Sequence, residues 1–334
     1  MTNTTIAVLG TGRIGKMHAE LIDRQVPALD LHSVFDVFAD SAHAVAADLG
    51  CDVAESAEHV MASDVDAVAI CTSTDTHVDL VVAAAEAGKA IFLEKPISLN
   101  LAEVDRALAA VEMAGVPLQI GFNRRFDPAH AAVQQAVANG SVGDVHMVRI
   151  TSRDPAPPPI EYIKVSGGIF NDMTIHDFDM ARFVTGSEVV QVYATAAVRV
   201  DPAIGEAGDV DTAVVVLTHE NEAITTIDNS RQAVYGYDQR VEVFGSGGMA
   251  VSENPRSHTA EIHGPDGTHL SNIPYFFLER YIPSYLAEWS AFVDGLKSGQ
   301  MPVTGKDGRA PLAIGMAAAR SAKEGRPVRV DEVA

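Results

Sequence analysis

Apolar and polar positions alternate along this chain in two regimes. From residue 6 to about 122, short apolar runs at 6–9, 31–35, 66–71, 90–93 and 117–121 read as strands. Between them lie alanine-rich amphipathic stretches, among them 76–88 and 101–114, which read as helices, the second opened by Asn100 as an N-cap. Strands and helices in strict alternation predict a parallel, doubly wound sheet. The pattern changes after Asp127-Pro128, which reads as an N-cap and a first helical residue. A helix at about 128–139, a long strand at Val145–Ser152, a proline-rich loop at Asp154–Pro159 and a helix near 172–184 come next. Segments 189–200, 210–218, 222–230, 237–245 and 248–253 then read as an antiparallel meander, with turns at Glu220-Asn221 and Gly245–Gly248. Two helices, at about 278–297 and 306–323, close the chain. The expected organisation is an α/β domain over 1–122, followed by an α+β domain over 123–334 built on a large, mostly antiparallel open sheet.

Composition narrows the partners. A chain of 334 residues, 47% hydrophobic and 21% charged, supports two globular domains with their own cores. A net charge of −21, from 24 basic and 45 acidic residues, argues against nucleic acid or an anionic membrane surface as partner. No apolar stretch reaches the length of a membrane span, and the stretch Met1–Thr5 lacks a signal-peptide layout. Two cysteines, Cys51 and Cys71, suggest a reducing compartment, with cytoplasm as the default. Neither CxxC nor HExxH occurs, so no metal-ligand set is expected.

Ligands of doubly wound sheets gather at the carboxyl ends of the strands. Here those ends are Gly10–Gly15, Asp36, Cys71–His77, Glu94–Pro96 and Gly121–Phe126. The first apolar run is followed by Gly10-Thr11-Gly12-Arg13-Ile14-Gly15, and Asp36 stands 21 residues after Gly15. A Rossmann dinucleotide site needs this order: Gly10 for the tight turn, Gly12 for approach of the pyrophosphate, Gly15 for close helix–strand packing. Arg13 and Ile14 complete the loop, whose amides and helix dipole would face the phosphates. A carboxylate at Asp36 accepts ribose hydroxyls and repels a 2′-phosphate, which favours NAD over NADP. Thr72, Ser73 and His77 would line the nicotinamide side, although the same segment also reads as a helix N-cap at Thr74 or Asp75, and His77 as a surface residue. In Glu94-Lys95-Pro96, the proline biases Lys95 toward an extended conformation that aims its ammonium into the crevice. There it would hydrogen-bond a substrate hydroxyl and stabilise alkoxide character; a strand-end lysine otherwise reads as a solvated charge.

The remaining candidate chemistry lies in Gly167–Asp177. Asp172 and His176 are four apart, so on one helix they share a face. Histidine can take the proton of an alcohol as hydride leaves its carbon, with the aspartate orienting the ring or binding a neighbouring hydroxyl. The pair also reads as a surface Asp–His pair, or as half of a metal site lacking a third ligand.

GTGRIG with FD at 35–36, CTSTDTH, EKP, GFNRRFDP, GGIFNDMTIHDFDMARFVTG and the terminal GKDGRAPLAIGMAAARSAKEGRPVRV together resemble the inositol dehydrogenase and glucose–fructose oxidoreductase-like (Gfo/Idh/MocA) family over essentially the whole chain. Within it, the chain looks most like the inositol 2-dehydrogenases. The resemblance implies a catalytic trio of Lys95, Asp172 and His176, with His176 as acid/base and Lys95 and Asp172 binding and polarising the reacting diol. It implies substrate contacts from Arg125, Asp154, Asp172, His176 and Tyr235, the last in Tyr-Gly-Tyr-Asp at 235–238. The Arg153-Asp154-Pro155 segment matches less well and is expected to help set substrate choice. The implied activity is NAD-dependent oxidation of myo- or scyllo-inositol to an inosose. A pyranose dehydrogenase, acting for instance on L-glucose to give a lactone, presents nearly the same ring of hydroxyls. A non-catalytic NAD- or sugar-sensing regulator is the alternative of another class; the presence together of Lys95, Asp172 and His176 speaks against it. Val214 and Val216 alternate with Val215 and Leu217, so both faces of that strand are apolar. Relatives of this kind associate through the second sheet, which implies a homotetramer, or failing that a dimer.

Overall fold

A computed structural model describes residues 3–333; Met1 and Thr2, part of the stretch read for a targeting signal, and Ala334 lie outside it. Residues up to Asn123 together with Tyr285–Ala310 form one compact unit, and Arg124–Ser284 with the segment from Pro311 onward form another.

The first unit runs β1 (Thr4–Leu9), α1 (Arg13–Gln25), β2 (Leu29–Phe35), α2 (Ala39–Leu49), β3 (Asp52–Val53), α3 (Ala57–Ala62), β4 (Ala67–Ile70), α4 (Thr74–Glu86), β5 (Ala90–Glu94), α5 (Leu101–Ala114) and β6 (Leu118–Gly121). Its six strands lie in the order β3-β2-β1-β4-β5-β6, all parallel. β1, β4 and β5 are central, and Ile6–Leu9, Ala67–Ile70 and Ile91–Leu93 are fully buried, as helices on both faces require. The expected strands are all present. The two-residue β3 was not foreseen, being too short to show a period. Asn100 caps α5 as expected, its Oδ1 accepting from Ala102 N at 2.9 Å and Glu103 N at 3.4 Å.

The second unit begins with α6 (Pro128–Ala138), β7 (Val145–Arg153), α7 (Ile160–Ile163), α8 (Gly168–Asp172) and α9 (Ile175–Thr185). It continues through β8 (Val189–Ala197), α10 (Pro202–Glu206), β9 (Thr212–His219), β10 (Ile224–Ser230), β11 (Asp238–Gly245), β12 (Gly248–Ser252), β13 (Glu261–Gly264) and β14 (Gly267–Leu270). Helices α11 (Phe277–Ser298) and α12 (Gly305–Glu324) and strand β15 (Val328–Arg329) complete the chain. The seven-stranded sheet has the order β12-β11-β7-β10-β9-β8-β15. β8, β9 and β10 form an antiparallel meander and β11–β12 a hairpin, so the meander expected across all five strands is broken between β10 and β11. β7 lies between β10 and β11, parallel to β10. Alternation of side chains fixes which face a residue occupies, but not which strand lies beside it, so the mixed pairing was not readable.

One face of this sheet, with Val148, Ile150, Val192, Val215, Leu217, Ile227, Val241 and Val243, packs with Phe178, Ala181 and Val184 of α9 and Ile314, Ala317 and Ala318 of α12. The other face carries Met249, Phe244, Met147 and Ile224, which the register places in one row across β12, β11, β7 and β10. All four are 41–58% exposed.

The expected continuous second domain is interrupted, because Tyr285–Ala310 packs with the first unit. Trp289 stacks on Phe92 of β5 at 4.3 Å between ring centroids, Phe292 meets Phe92 edge-on at 6.0 Å, and Ile120 N donates to Val303 O at 3.1 Å. Periodicity marks a helix as amphipathic without saying which core receives its apolar face.

Asp127 illustrates how burial changes the worth of a cap. Its Oδ1 accepts from Ala129 N and His130 N at 3.0 and 3.1 Å, while Oδ2 accepts from Arg280 Nη1. Burial works against its charge, yet the Arg280 bond and the helix amides hold its carboxyl below the ordinary aspartate range. Asp127→Ala removes the cap and leaves Arg280 buried without its counter-ion, an expected loss of about 3–5 kcal/mol. Asn100→Ala removes only an exposed cap, an expected loss of about 1 kcal/mol. Denaturant titration of both variants checks the contrast; equal losses would contradict it.

Candidate active site

The glycine loop of the first unit is built as its sequence demands. Gly10 has φ +92°, and a Cβ there would stand 2.6 Å from Cys71 O, so the turn tolerates no side chain. A Cβ on Gly15 would lie 1.9 Å from Gly10 O, which shows how closely α1 packs against the end of β1. Gly12 differs: nothing of the protein stands within 4 Å of a Cβ placed there. Gly12 is also the N-cap of α1, no side chain caps that helix, and its first turn holds no acid. Open space over a helix N-terminus free of negative charge fits a pyrophosphate. Arg13 and Ile14 form the first turn of that helix.

At the end of β2, Asp36 is fixed by the same loop. Its Oδ2 accepts from Thr11 N at 2.6 Å and Thr11 Oγ1 at 3.0 Å, and its Oδ1 from Phe38 N at 2.9 Å. Three of the carboxylate's four or so acceptor sites are thereby filled, which leaves Oδ1 open to accept from a ribose hydroxyl. The exposed Val37, Phe38 and Ala39 beside it supply no cation for a 2′-phosphate.

The loop after β4 departs from expectation in detail. Ser73, rather than Thr74 or Asp75, is the N-cap of α4, and its side chain makes no capping bond. Thr72 Oγ1 accepts from Thr76 Oγ1 at 2.7 Å. His77 is 1% exposed, not a surface residue, with Nδ1 2.8 Å from Pro96 O and Nε2 3.0 Å from Thr72 O. Burial pushes its pKa down against those two carbonyls. It ties the turn after β4 to the turn after β5, where Lys95 follows Glu94 and the Lys95–Pro96 peptide is cis. Glu94 Oε1 accepts from His18 Nε2 at 2.8 Å.

In the second unit, Asp172 and His176 do not share one helix. α8 ends at Asp172 and α9 begins at Ile175. Buried Thr174 makes the break: its hydroxyl lies 3.1 Å from Ile169 O and 2.7 Å from Asn229 Oδ1 of β10. Competition of a threonine hydroxyl with the helix ladder is a known cause of such interruptions. Asp172 Oδ1 accepts from Tyr162 Oη at 2.8 Å and Oδ2 from Arg231 Nη1 at 3.2 Å. Arg231 is 1% exposed and also reaches Asp209 Oδ2 at 3.5 Å. Asp154 belongs to the same neighbourhood. Burial pushes its carboxyl up to about 6, with Asp172 and Asp177 adding to the shift and Arg231 and Arg124 opposing it. A carboxyl poised near neutrality can donate as well as accept a hydrogen bond from a polyol.

The other substrate candidates are placed differently. Arg125 is bidentate to Asp179, with Nε–Oδ2 2.8 Å and Nη2–Oδ1 2.6 Å. Tyr235 is half exposed; its hydroxyl donates to Asp238 Oδ2 at 2.6 Å and accepts from Arg153 Nη1 at 3.1 Å. That cluster lies on the sheet face away from the helices, apart from Asp172. Sequence reasoning missed Tyr162 and Arg231, which lie in no motif; a charged residue closely following a strand was the only signal for Arg231. Among the described residues no group of histidine, cysteine and acidic side chains is placed to hold a metal ion.

Known proteins resemble both units. Residues 4–122 match a family model described as an oxidoreductase family with an NAD-binding Rossmann fold, and residues 130–251 match the GFO/IDH/MocA C-terminal domain. The chain is 51% identical to a myo-inositol 2-dehydrogenase of Thermotoga maritima, over 98% of this chain and 99% of that protein. It is 48% identical to an inositol 2-dehydrogenase of Rhizobium meliloti, over 97% and 98% of the two chains. A solved scyllo-inositol dehydrogenase from Lactobacillus casei with bound NAD(H) and scyllo-inositol superposes with a TM-score of 0.92 at 28% identity, over 98% and 99%.

Asp36→Ala removes an oriented carboxylate of the kind that accepts from a ribose hydroxyl and repels a 2′-phosphate. It is expected to lower kcat/KM for NAD and to narrow the NAD-over-NADP preference. Equal turnover of the two cofactors by the unaltered protein would overturn this account of Asp36.

Proposed function

The chain belongs to the GFO/IDH/MocA family of oxidoreductases, and from that premise we propose that it is an NAD-dependent inositol dehydrogenase converting a ring carbinol of myo- or scyllo-inositol to the ketone of an inosose. The observation that carries the substrate side is Asp172, held by Tyr162 and Arg231 at the break one turn before His176. The relatives of higher identity bear the myo-inositol and inositol names, which makes myo-inositol the first isomer to test.

NAD, when bound, accepts the hydride. His176 takes the hydroxyl proton as the C–H bond breaks, so that the alcohol loses a hydride and a proton together and becomes a ketone. Lys95 donates to the reacting oxygen and stabilises its alkoxide character before the carbonyl forms. Asp172 accepts from a hydroxyl of the same diol, and Arg231 keeps its carboxylate oriented. Asp154, with its raised pKa, is a further substrate-side candidate, whereas the Tyr235 hydroxyl, engaged by Asp238 and Arg153 on the other sheet face, is not, and Arg125 acts through Asp179 on α9.

We assign the enzyme to the cytoplasm: Cys51 and Cys71 are both free thiols, and no helix among the described residues is long and apolar enough to cross a membrane. We also propose a homotetramer, with a dimer as the lesser assembly. The exposed row Met249–Phe244–Met147–Ile224, with Val214 (46% exposed) and Tyr193 (42%) on the same sheet face, is an apolar surface that a second copy would bury.

Formation of NADH with myo-inositol, scyllo-inositol and L-glucose separates the dehydrogenase from a pyranose enzyme and from a sensor. His176→Ala should lower kcat about a hundredfold with NAD affinity near normal, and Lys95→Ala should do comparable damage. Nearly full turnover by His176→Ala would move the base role to Lys95.

Light scattering at micromolar concentration is expected to give the mass of a tetramer. A monomer there would overturn the assembly.

A further inference from the structure

His18 lies on α1, is fully buried, and belongs to no part of the chemistry described above. Its ring is boxed edge-on by Phe92, Tyr285 and Trp289, with centroids 5.2, 5.4 and 5.4 Å away. Trp289 Nε1 donates to His18 Nδ1 at 3.0 Å. An indole N–H can only donate, so Nδ1 is the acceptor and the ring hydrogen sits on Nε2. That nitrogen lies 2.8 Å from Glu94 Oε1 and therefore donates to the carboxylate. The chain of bonds Trp289 → His18 → Glu94 has one direction and one tautomer.

Glu94 is at the C-terminal end of β5, and its side chain is 13% exposed. Its carboxyl packs on Gly121 of β6, where a Cβ would come within 3.2 Å. Glu288, also close by, is fully buried; burial and the charge of Glu94 push its carboxyl well above the usual range. Asp36 ends β2 on one side of the crevice and Glu94 ends β5 on the other. In a doubly wound sheet these ends serve the two halves of a dinucleotide.

We propose that His18, its tautomer fixed by Trp289, is a positioning residue that holds the Glu94 carboxylate for the hydroxyls of the nicotinamide-side ribose. The proposal rests on the NAD-binding reading of the first unit. It gives the chain's single tryptophan a role in cofactor recognition. It also gives a reason for Tyr285–Ala310 to pack with the nucleotide unit.

Calorimetric titration with NAD and with ADP, in the absence of any inositol, tests it. ADP occupies the Asp36 half alone and does not reach Glu94. His18→Leu is expected to weaken NAD about tenfold or more, the scale of a hydrogen bond to a charged group, and to leave ADP unchanged. His18→Gln retains a donor toward the carboxylate and should recover most of the loss. Trp289→Phe frees Nδ1 and should weaken NAD about threefold, which carries the test if His18→Leu does not fold. NAD affinity unchanged in these variants, or NAD and ADP weakened alike, would overturn the proposal. A protein that shows the NAD–ADP split but oxidises no inositol would refute the substrate reading and leave this one standing.

Discussion

The seating of α1 against the end of β1 is the constraint from which the first unit follows. A side chain on Gly15 would drive its Cβ to 1.9 Å from Gly10 O, so the helix can lie where it does only because Gly15 lacks one, while a Cβ on Gly10 would meet Cys71 O at 2.6 Å. That contact directs the open N-terminus of α1 at the space beside Gly12. It also brings Thr11 N to within 2.6 Å of Asp36 Oδ2, so the loop that carries the glycines also orients that carboxylate. Further along the same helix it delivers His18 to Glu94. A displaced α1 would disturb three groups at once, since cores transmit shifts rather than absorb them.

The second unit is organised by buried charge. Arg124 and Arg125 are consecutive, and each finds an aspartate on α9: Arg124 Nη1 lies 2.7 Å from Asp177 and Arg125 Nη2 2.6 Å from Asp179. Arg124 is further held by Ser152 Oγ at 3.3 Å and Tyr237 Oη at 3.2 Å, and Asp177 by Asn229 Nδ2 at 2.8 Å. Desolvating such groups is costly unless every partner is met, so pairs of this kind select one arrangement more than they add stability. Here the arrangement they select is the position of α9, and with it the place of His176. Arg231, shared between Asp172 and Asp209, does the same for the end of α8.

Apolar periodicity and glycine placement determined the alternating strands and helices of the nucleotide unit, the capping of α5 by Asn100, the start of α6 at Pro128 and the glycine loop with Asp36. Apart from Asp36, which stands 21 residues after Gly15 and was found by the spacing of the motif, these features are local and set by residues within a turn or two of one another. Asp172 and His176 were also identifiable, but their spacing implied a shared helix. The spacing carried no information about Thr174, whose hydroxyl bonds to Asn229, 55 residues away, and interrupts the helix. Arg125 and Tyr235 were visible as polar residues in suggestive segments. That their polar groups meet Asp179, and Asp238 with Arg153, depends on chain folding across more than fifty residues for Arg125 and for the Tyr235–Arg153 bond.

The sequence by itself determined the classes of element, the nucleotide loop and the residue types available for proton transfer, because those depend on short-range sterics and on side-chain chemistry. Tertiary structure alone decided that β7 lies between β10 and β11, that Tyr285–Ala310 joins the nucleotide unit, and that Trp289 reaches His18 across 271 residues. A strand's alternation and a helix's stripe specify a surface to be buried. Which surface covers it is settled only when the whole chain competes for burial, and periodicity contains no term for that competition.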